Sequence, residues 1–334
     1  ANLSAEEARA RMEAAEPYTL RFRVPRGRTV EFDDLVRGPQ RFASDDLGDF
    51  IVRRADGSAA FFFCNAVDDA LMGVSHVLRG EDHITNTPRQ ILILEALGLS
   101  APRYGHIALI VGADGAPLSK RHGARSLGEL REAGYLPQAL VNHLARLGHK
   151  YDEDVPYSMG ELAERFSEQR LGRAPARYDD QQLLFWQRRT LEALDTETLW
   201  AWMGDAVHKV VPEGMKEAFV QAVRPNVTFP EDAGHWARVL FTDTMEPSEK
   251  AQGVIAETGA DFYREAVAAL SEHPDDFKAF ADAVKARTGA KGKGLFLPLR
   301  AAMTGETGGP EMGEVLPLLG AERARRRLAD CAGE

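Results

Sequence analysis

Cysteine is nearly missing from this chain of 334 residues, which holds only Cys64 and Cys331. That scarcity excludes a disulfide framework and a cysteine-rich zinc centre built from these residues, and it suits a reducing, cytoplasmic setting. Long apolar runs are missing too. No stretch approaches the roughly 20 apolar residues of a transmembrane helix, so no membrane partner is expected. The opening ANLSAEEARARMEAAE is polar and helix-forming, with no apolar core of the kind a secretory signal needs. An excess of positive charge is also absent. The formal net charge of -10 argues against indiscriminate binding to polyanions, although a local basic face matters more than the total. Such faces are available in RFRVPRGR (Arg21 to Arg28), KARTGAKGK (Lys285 to Lys293) and RARRR (Arg323 to Arg327), each of which also suits an ordinary solvated surface. There is no internal repeat, and no G-x-x-x-x-G-K-[ST] phosphate loop.

What is present reads as two or three domains. A short helix over about Ala5 to Ala14 precedes strand-like YTLRFRV and FIVRR, a hairpin signal RADGSA at Asp56-Gly57, and the apolar run AFFFCNAV, expected to be buried. VSHVLRG then reads as a strand ended by Gly80. TPRQILILEALGL reads as a helix with Thr87 as its N-cap, Pro88 in the first turn and Gly98 as its stop. YGHIALIVG is the next strand. This strand–helix–strand cadence predicts parallel strands packed by a crossover helix, part of a doubly wound sheet. SLGELREAG and LPQALVNHLARLG are short helices stopped by glycine, and from about Asp180 onward nearly everything is amphipathic helix. The fold class is therefore α/β first and all-α last.

Two stretches carry chemistry. In GADGAPLSKRHGARS (Gly112 to Ser126) a glycine-edged loop follows a strand and offers Ser119, Lys120 and Arg121. Cations, a hydroxyl and backbone N–H groups in a movable loop at the carboxyl edge of a sheet suit a transferring phosphoryl group. The same residues would also suit a basic surface turn. In VLRGEDHITNTPRQ (Val77 to Gln90), Arg79 at a strand end can clamp a carboxylate through its fork, and Glu81 and Asp82 can meet hydroxyl or ammonium groups or simply favour a helix start. His83 lacks a second ligand at metal spacing and reads as a capping histidine, while Asp68 and Asp69 read as helix-start residues. Trp186, Trp200, Trp202 and Trp236 fall on helical stretches and read as core.

Four segments, in order along the chain, resemble bacterial glutamyl-tRNA synthetase. They are AVDDALMGVSHVLRGEDHITNTPRQILILEALG, YGHIALIVGADGAPLSKRHGARSL, GYLPQALVNHLARLGH and LFLPLRAAMTGETGGPEMGEVLPLLGAERARRRL. The loop resembles the KMSKS loop of class I aminoacyl-tRNA synthetases. The resemblance implies the second half of a Rossmann-type catalytic fold followed by helical stem-contact and anticodon-binding domains. The division it implies is residues 1–59 for the rest of an inserted acceptor-arm-binding domain, 60–125 for the nucleotide fold, 126–190 for stem contact and 191–334 for the anticodon. It implies activation of L-glutamate with ATP and Mg2+ to glutamyl-adenylate, with tRNA bound, and transfer to the 3′ end of the glutamate tRNA. Lys120 would be the main transition-state cation, acting with Ser119 and Arg121. The stretch Pro117, Leu118, Ser119, Lys120 and Arg121 would cover the ATP phosphates. Asp82 and the backbone of Ile110 would contact ATP, Arg79 would contact glutamate, and Phe61 to Asn65 would line the glutamate pocket. For tRNA the expected contacts are Arg21 and Arg23 near the acceptor arm, Arg188 and Arg189, and Lys291, Lys293 and Arg300.

The chain departs from the family pattern in three places. Phe61 stands where Tyr is usual and Pro117 where the loop's first lysine is usual, removing one hydroxyl and one cation. The HIGH-type turn and an early carboxylate-reading arginine are not found among these residues. The expectation is that the sequence starts inside the inserted domain, and that activity needs the remaining catalytic half, from a separate polypeptide or from further sequence. A non-catalytic tRNA-binding protein of the same family is the alternative, against which stand LSKRHG, Arg79 and Asp82. Glutaminyl-tRNA synthetase typically carries β-barrels where this chain is helical, and a tRNA-modifying relative lacks the anticodon region. Whether glutamine tRNA is also a partner is left open by the sequence. A cytoplasmic monomer, with no zinc site, is expected.

Overall fold

The computed structural model describes residues 3–112, 114–118, 125–243 and 245–333. The chain forms two compact units, one from residues 1–124 and 143–179 and the other from 125–142 and 180–334.

The first unit opens on the helix Ala5–Glu13, held by a reciprocal Ser4–Glu7 capping box. Strands β1 (Leu20–Phe22), β2 (Thr29–Asp34), β3 (Gly38–Ala43) and β4 (Phe50–Arg53) make two antiparallel ladders, β1 with β4 and β2 with β3. Alternation along β2 buries Val30 and, four residues on, Asp34. The Asp56-Gly57 turn forms as expected, with the Arg54 N–H bonded to the Ser58 carbonyl and the Ser58 N–H to the Asp56 carboxylate.

The run AFFFCNAV differs from its strand-like setting in the sequence reading. It opens the helix Phe61–Leu71, which continues through Asp68 and Asp69, so these two lie in its last turns and not at a helix start. Helical spacing puts Phe62, Phe63 and Val67 against Val24, Val30, Phe50, Leu92 and Ile93 and leaves Phe61 45% exposed. At 11 residues the segment is long for a buried strand, and length was the cue that decides.

The strand–helix–strand unit is as the sequence predicts. β5 (His76–Gly80) and β6 (Arg103–Ile107) pair in parallel, joined through the helix Thr87–Leu97, which ends on Gly98 in the left-handed conformation. Thr87 is the first helical residue, not the N-cap, and Pro88 follows in the first turn. YGHIALIVG breaks into β6 and a short β7 (Ile110–Val111), which pairs in parallel with β8 (Ala176–Arg177).

The second unit begins with the helix Leu127–Glu132, started by a Ser126–Glu129 capping box. From Asp180–Ala193 to Ala321–Ala332 it is built of helices around one core, where Phe219, Tyr263 and Phe280 are fully buried. Trp186 and Trp236 are buried, and Trp200 and Trp202 pack partly buried against that core, so all four are structural as read. Arg327 is buried with its guanidinium donating to the carbonyls of Met303, Val239 and Thr242, at the C-terminal ends of two helices.

Candidate active site at the ends of the parallel strands

Parallel pairing sets Arg79 of β5 directly against His106 of β6. Both are the last or next-to-last residues of their strands, at the carboxyl edge where open α/β sheets bind ligands. The Arg79 guanidinium is tied down on two of its nitrogens. Its Nε donates to His106 Nε2 at 3.2 Å, and its Nη2 donates to Thr87 Oγ1 and to Gln90 Oε1, each at 2.7 Å. Gln90 Nε2 in turn donates to Asn65 Oδ1 at 2.7 Å, which brings the Phe61–Leu71 helix into the same network. The Arg79 guanidinium carbon also lies 5.2 Å from the centre of the Tyr104 ring. Nη1 makes no hydrogen bond among the described residues, and Arg79 lines a cavity of about 690 Å³ together with Gly80, Ile107, Leu109, Ile110 and Leu118.

His106 is fully buried and held from behind by Asp34, whose Oδ2 lies 2.5 Å from Nδ1. Asp34 Oδ1 accepts the backbone N–H groups of Val36, Arg37 and His106 at 2.9, 2.7 and 3.1 Å. Burial alone would raise the Asp34 pKa, but these hydrogen bonds to its ionised form outweigh it and hold the carboxyl below its ordinary range. An ionised carboxylate only accepts, so the proton of neutral His106 sits on Nδ1, and Nε2 is an acceptor for Arg79 and for the Thr87 hydroxyl at 3.1 Å. Burial, only partly offset by Asp34, pushes the His106 pKa down and keeps the ring neutral. Beside it, Arg37 Nη2 pairs with Glu81, Arg37 Nε donates to the His106 carbonyl, and Glu81 accepts the Leu109 N–H. The turn between β2 and β3 therefore grips both strand ends. Burial raises the Asp69 pKa against the pull of Arg79, and pushes that of Tyr104 up to about 12.

The structure gathers some of the expected residues here. Arg79 and Asn65 share one hydrogen-bond chain, and Gly80, Ile110 and Leu118 line the cavity with Arg79. The Ile110 carbonyl accepts the Leu118 N–H at 3.0 Å, and Pro117 bridges back to Val111. Asp82 is exposed in the turn after β5, near His83, and the His83 ring lies 5.7 Å from that of Phe61. Ser119, Lys120 and Arg121 lie outside the described residues.

Of the expected tRNA contacts, Arg21, Arg23, Arg188, Arg189, Lys291 and Lys293 are exposed. Arg188 donates to Thr228 and Arg189 pairs with Glu192. Lys291 and Lys293 flank Gly292 at the start of the helix Lys293–Thr304, and Arg300 is half-buried, donating to the Pro310 carbonyl.

The sequence reading missed Asp34, His106, Gln90 and the true role of Thr87. Aligning HVLRG with RYGHI as parallel neighbours would have shown His106 opposite Arg79. Among the described residues no three His, Cys, Asp or Glu side chains form a metal-binding group, and no helix is long and apolar enough to cross a membrane.

Comparison with known proteins fits this architecture. Residues 1–185 match the family described as tRNA synthetases class I (E and Q), catalytic domain, and residues 183–332 match an anticodon binding domain. The fold is thus that of a class I tRNA synthetase. Glutamate–tRNA ligase 2 of Nitrosococcus oceani is 58% identical across the whole chain, which spans 71% of that relative. Glutamate–tRNA ligase 1 of Methylococcus capsulatus is 54% identical over 99% of the chain and 71% of its own length. A crystal structure of a glutamate tRNA ligase from Elizabethkingia meningosepticum, in complex with its amino acid, matches 99% of the chain and 71% of its own with a TM-score of 0.86 at 25% identity. The chain belongs to the glutamate–tRNA ligase family. A ligase is accordingly favoured over a non-catalytic tRNA-binding protein of the same origin.

Proposed function

We propose that the Arg79 cavity is where this ligase reads glutamate and presents it to ATP. The observation that carries this reading is the guanidinium itself. Nε and Nη2 are fixed by His106, Thr87 and Gln90, while Nη1, unbonded among the described residues, is left for a ligand in the cavity that Arg79 lines. A guanidinium edge held in that way favours a carboxylate over the neutral amide of glutamine, since a charge-assisted hydrogen bond is about twice as strong as a neutral one. Asn65 and the face of Phe61 complete the glutamate pocket. The glutamate α-carboxylate attacks the α-phosphorus of ATP and pyrophosphate leaves; a hydroxyl of the 3′-terminal ribose of the glutamate tRNA then attacks the glutamyl carbonyl, forming the ester and releasing AMP.

ATP enters with Mg2+ on its phosphates. Its adenosine lies toward Ile110, Leu118 and Asp82, and Pro117 leads into Ser119, Lys120 and Arg121, which neutralise the charge that develops on the phosphates. Arg21 and Arg23 contact the acceptor arm. Arg188 and Arg189 meet the stem, and Lys291, Lys293 and Arg300 meet the anticodon side, within the division at residues 59, 125 and 190 read from the sequence. The protein works as a cytoplasmic monomer, and glutamine tRNA is a second candidate substrate.

The test is glutamate-dependent ATP–pyrophosphate exchange in the presence of glutamate tRNA, with and without a family N-terminal segment. Exchange in either arm, lost by Arg79→Ala, is the expected result. No exchange in both arms, with salt-sensitive tRNA binding retained, would make the chain a tRNA-binding protein only.

A further inference from the structure

The pair Asp34–His106 is buried behind Arg79, and it is built with more care than packing requires. Asp34 comes from the end of β2 and His106 from β6, 72 positions apart in sequence, and both side chains are fully buried. We infer that Asp34 and His106 are positioning residues for glutamate recognition: Asp34 fixes the His106 tautomer that accepts the Arg79 Nε–H, and so sets the guanidinium for its ligand. This rests on the reading of Arg79 as the glutamate contact.

Arg79 has only donors, so whatever faces its Nε must accept. His106 accepts there only if its proton is on Nδ1, and a partner that accepts at Nδ1 enforces that state. Asp34 is such a partner, and its other oxygen is pinned by three backbone N–H groups. Replacing it by asparagine exposes the logic. The amide oxygen must take the Oδ1 place, because three N–H donors converge there. The amide NH2 then faces His106 Nδ1 as a donor, and the imidazole must accept. Its proton moves to Nε2, where it points at the Arg79 Nε–H and the Thr87 hydroxyl. The guanidinium loses one of its three fixed partners and turns, with no atom at the cavity itself altered.

The charged and titratable neighbours of the pair are Arg79, Arg37, Glu81, Asp69, His83 and Tyr104. Asp34→Asn replaces none of them, though it removes the Asp34 charge that acts on Arg79.

Two readouts on the same chain test this. Nitrogen-15 shifts of the imidazoles, with His106 assigned through His106→Gln, report the tautomer. Isothermal titration reports the affinity for L-glutamate. The expected result is an Nδ1–H tautomer in the unaltered chain, an Nε2–H tautomer in Asp34→Asn, and glutamate binding weaker by about tenfold or more, the scale on which loss of an orienting partner acts. Val30→Ala, a cavity variant in the same strand, should lower thermal stability and leave the affinity unchanged. An unshifted tautomer in Asp34→Asn, or a shifted tautomer with unchanged affinity, would overturn the inference. An equal loss of affinity in Val30→Ala would reduce the effect to stability and overturn it as well. If the unaltered chain binds no glutamate, with or without a family N-terminal segment, the proposed function of the cavity fails first and this role with it. Binding retained by Asp34→Asn removes the positioning role alone.

Discussion

Arg79→Lys keeps a positive charge at the centre of the site and removes the fork. A lysine ammonium at that place can reach the ligand or the buried partners, but it cannot hold His106 Nε2, Thr87 Oγ1 and Gln90 Oε1 while offering a further N–H to the cavity. On the ligand side the loss is about one charge-assisted hydrogen bond, roughly 1.5–3 kcal/mol, or on the order of 10- to 150-fold in affinity. On the protein side, Gln90 is fully buried, and its Oε1 loses the Arg79 donor that faces it. An unsatisfied buried acceptor costs about 1–3 kcal/mol, which lowers the melting temperature by several degrees. The assay is pyrophosphate exchange with glutamate and ATP varied separately. The glutamate KM should rise by the larger factor, with the ATP KM within about twofold, since the adenosine is proposed to lie toward Ile110 and Leu118 instead. An unchanged glutamate KM with a raised ATP KM would refute the assignment of Arg79.

Three other outcomes follow from the same geometry. Arg327→Met strips three carbonyls at helix ends of their donor, and denaturant unfolding should show the helical unit weakened by about 1–3 kcal/mol; a change below about 0.5 kcal/mol would contradict the role given to it. Melting temperature should be flat between about pH 7 and 8 and fall as pH drops below 6.5, because His106, and His149 likewise, are held neutral by burial while the unfolded chain takes up protons. A further fall should follow below 3.8 as Asp34, depressed in the fold, gains its proton; His106→Gln should make the first of these falls smaller. Replacing Lys291 and Lys293 together by alanine should weaken tRNA binding and reduce the slope of log affinity against log salt by about one to two, measured by filter binding.

The sequence reading reached the right fold where a periodicity was long enough to be unambiguous. The crossover helix Thr87–Leu97 and the helices after Asp180 show their pattern over many turns, with glycine stops. It went astray at AFFFCNAV, because three consecutive phenylalanines look alike on a strand and on a helix. Only the continuation through Asp68 to Leu71 separates the two. Arg79 was legible because a strand end followed by glycine is a recurring place for a ligand contact. Its supports were not. Asp34 looks like half of a surface Asp-Asp pair until the alternation of β2 turns it inward, and His106 gains meaning only once β6 is laid in register beside β5. Long-range pairing of that kind leaves no local trace. Thr87 was read as a cap from its position before proline, whereas its hydroxyl serves Arg79 and His106.

The central claim is that Arg79 Nη1 meets glutamate. A crystal structure of this chain with L-glutamate tests it most directly. The account predicts a glutamate carboxylate about 3 Å from Arg79 Nη1, with the Arg79 bonds to His106, Thr87 and Gln90 intact. Glutamate bound away from Arg79, or an Arg79 side chain released from His106 to reach it, would contradict the account.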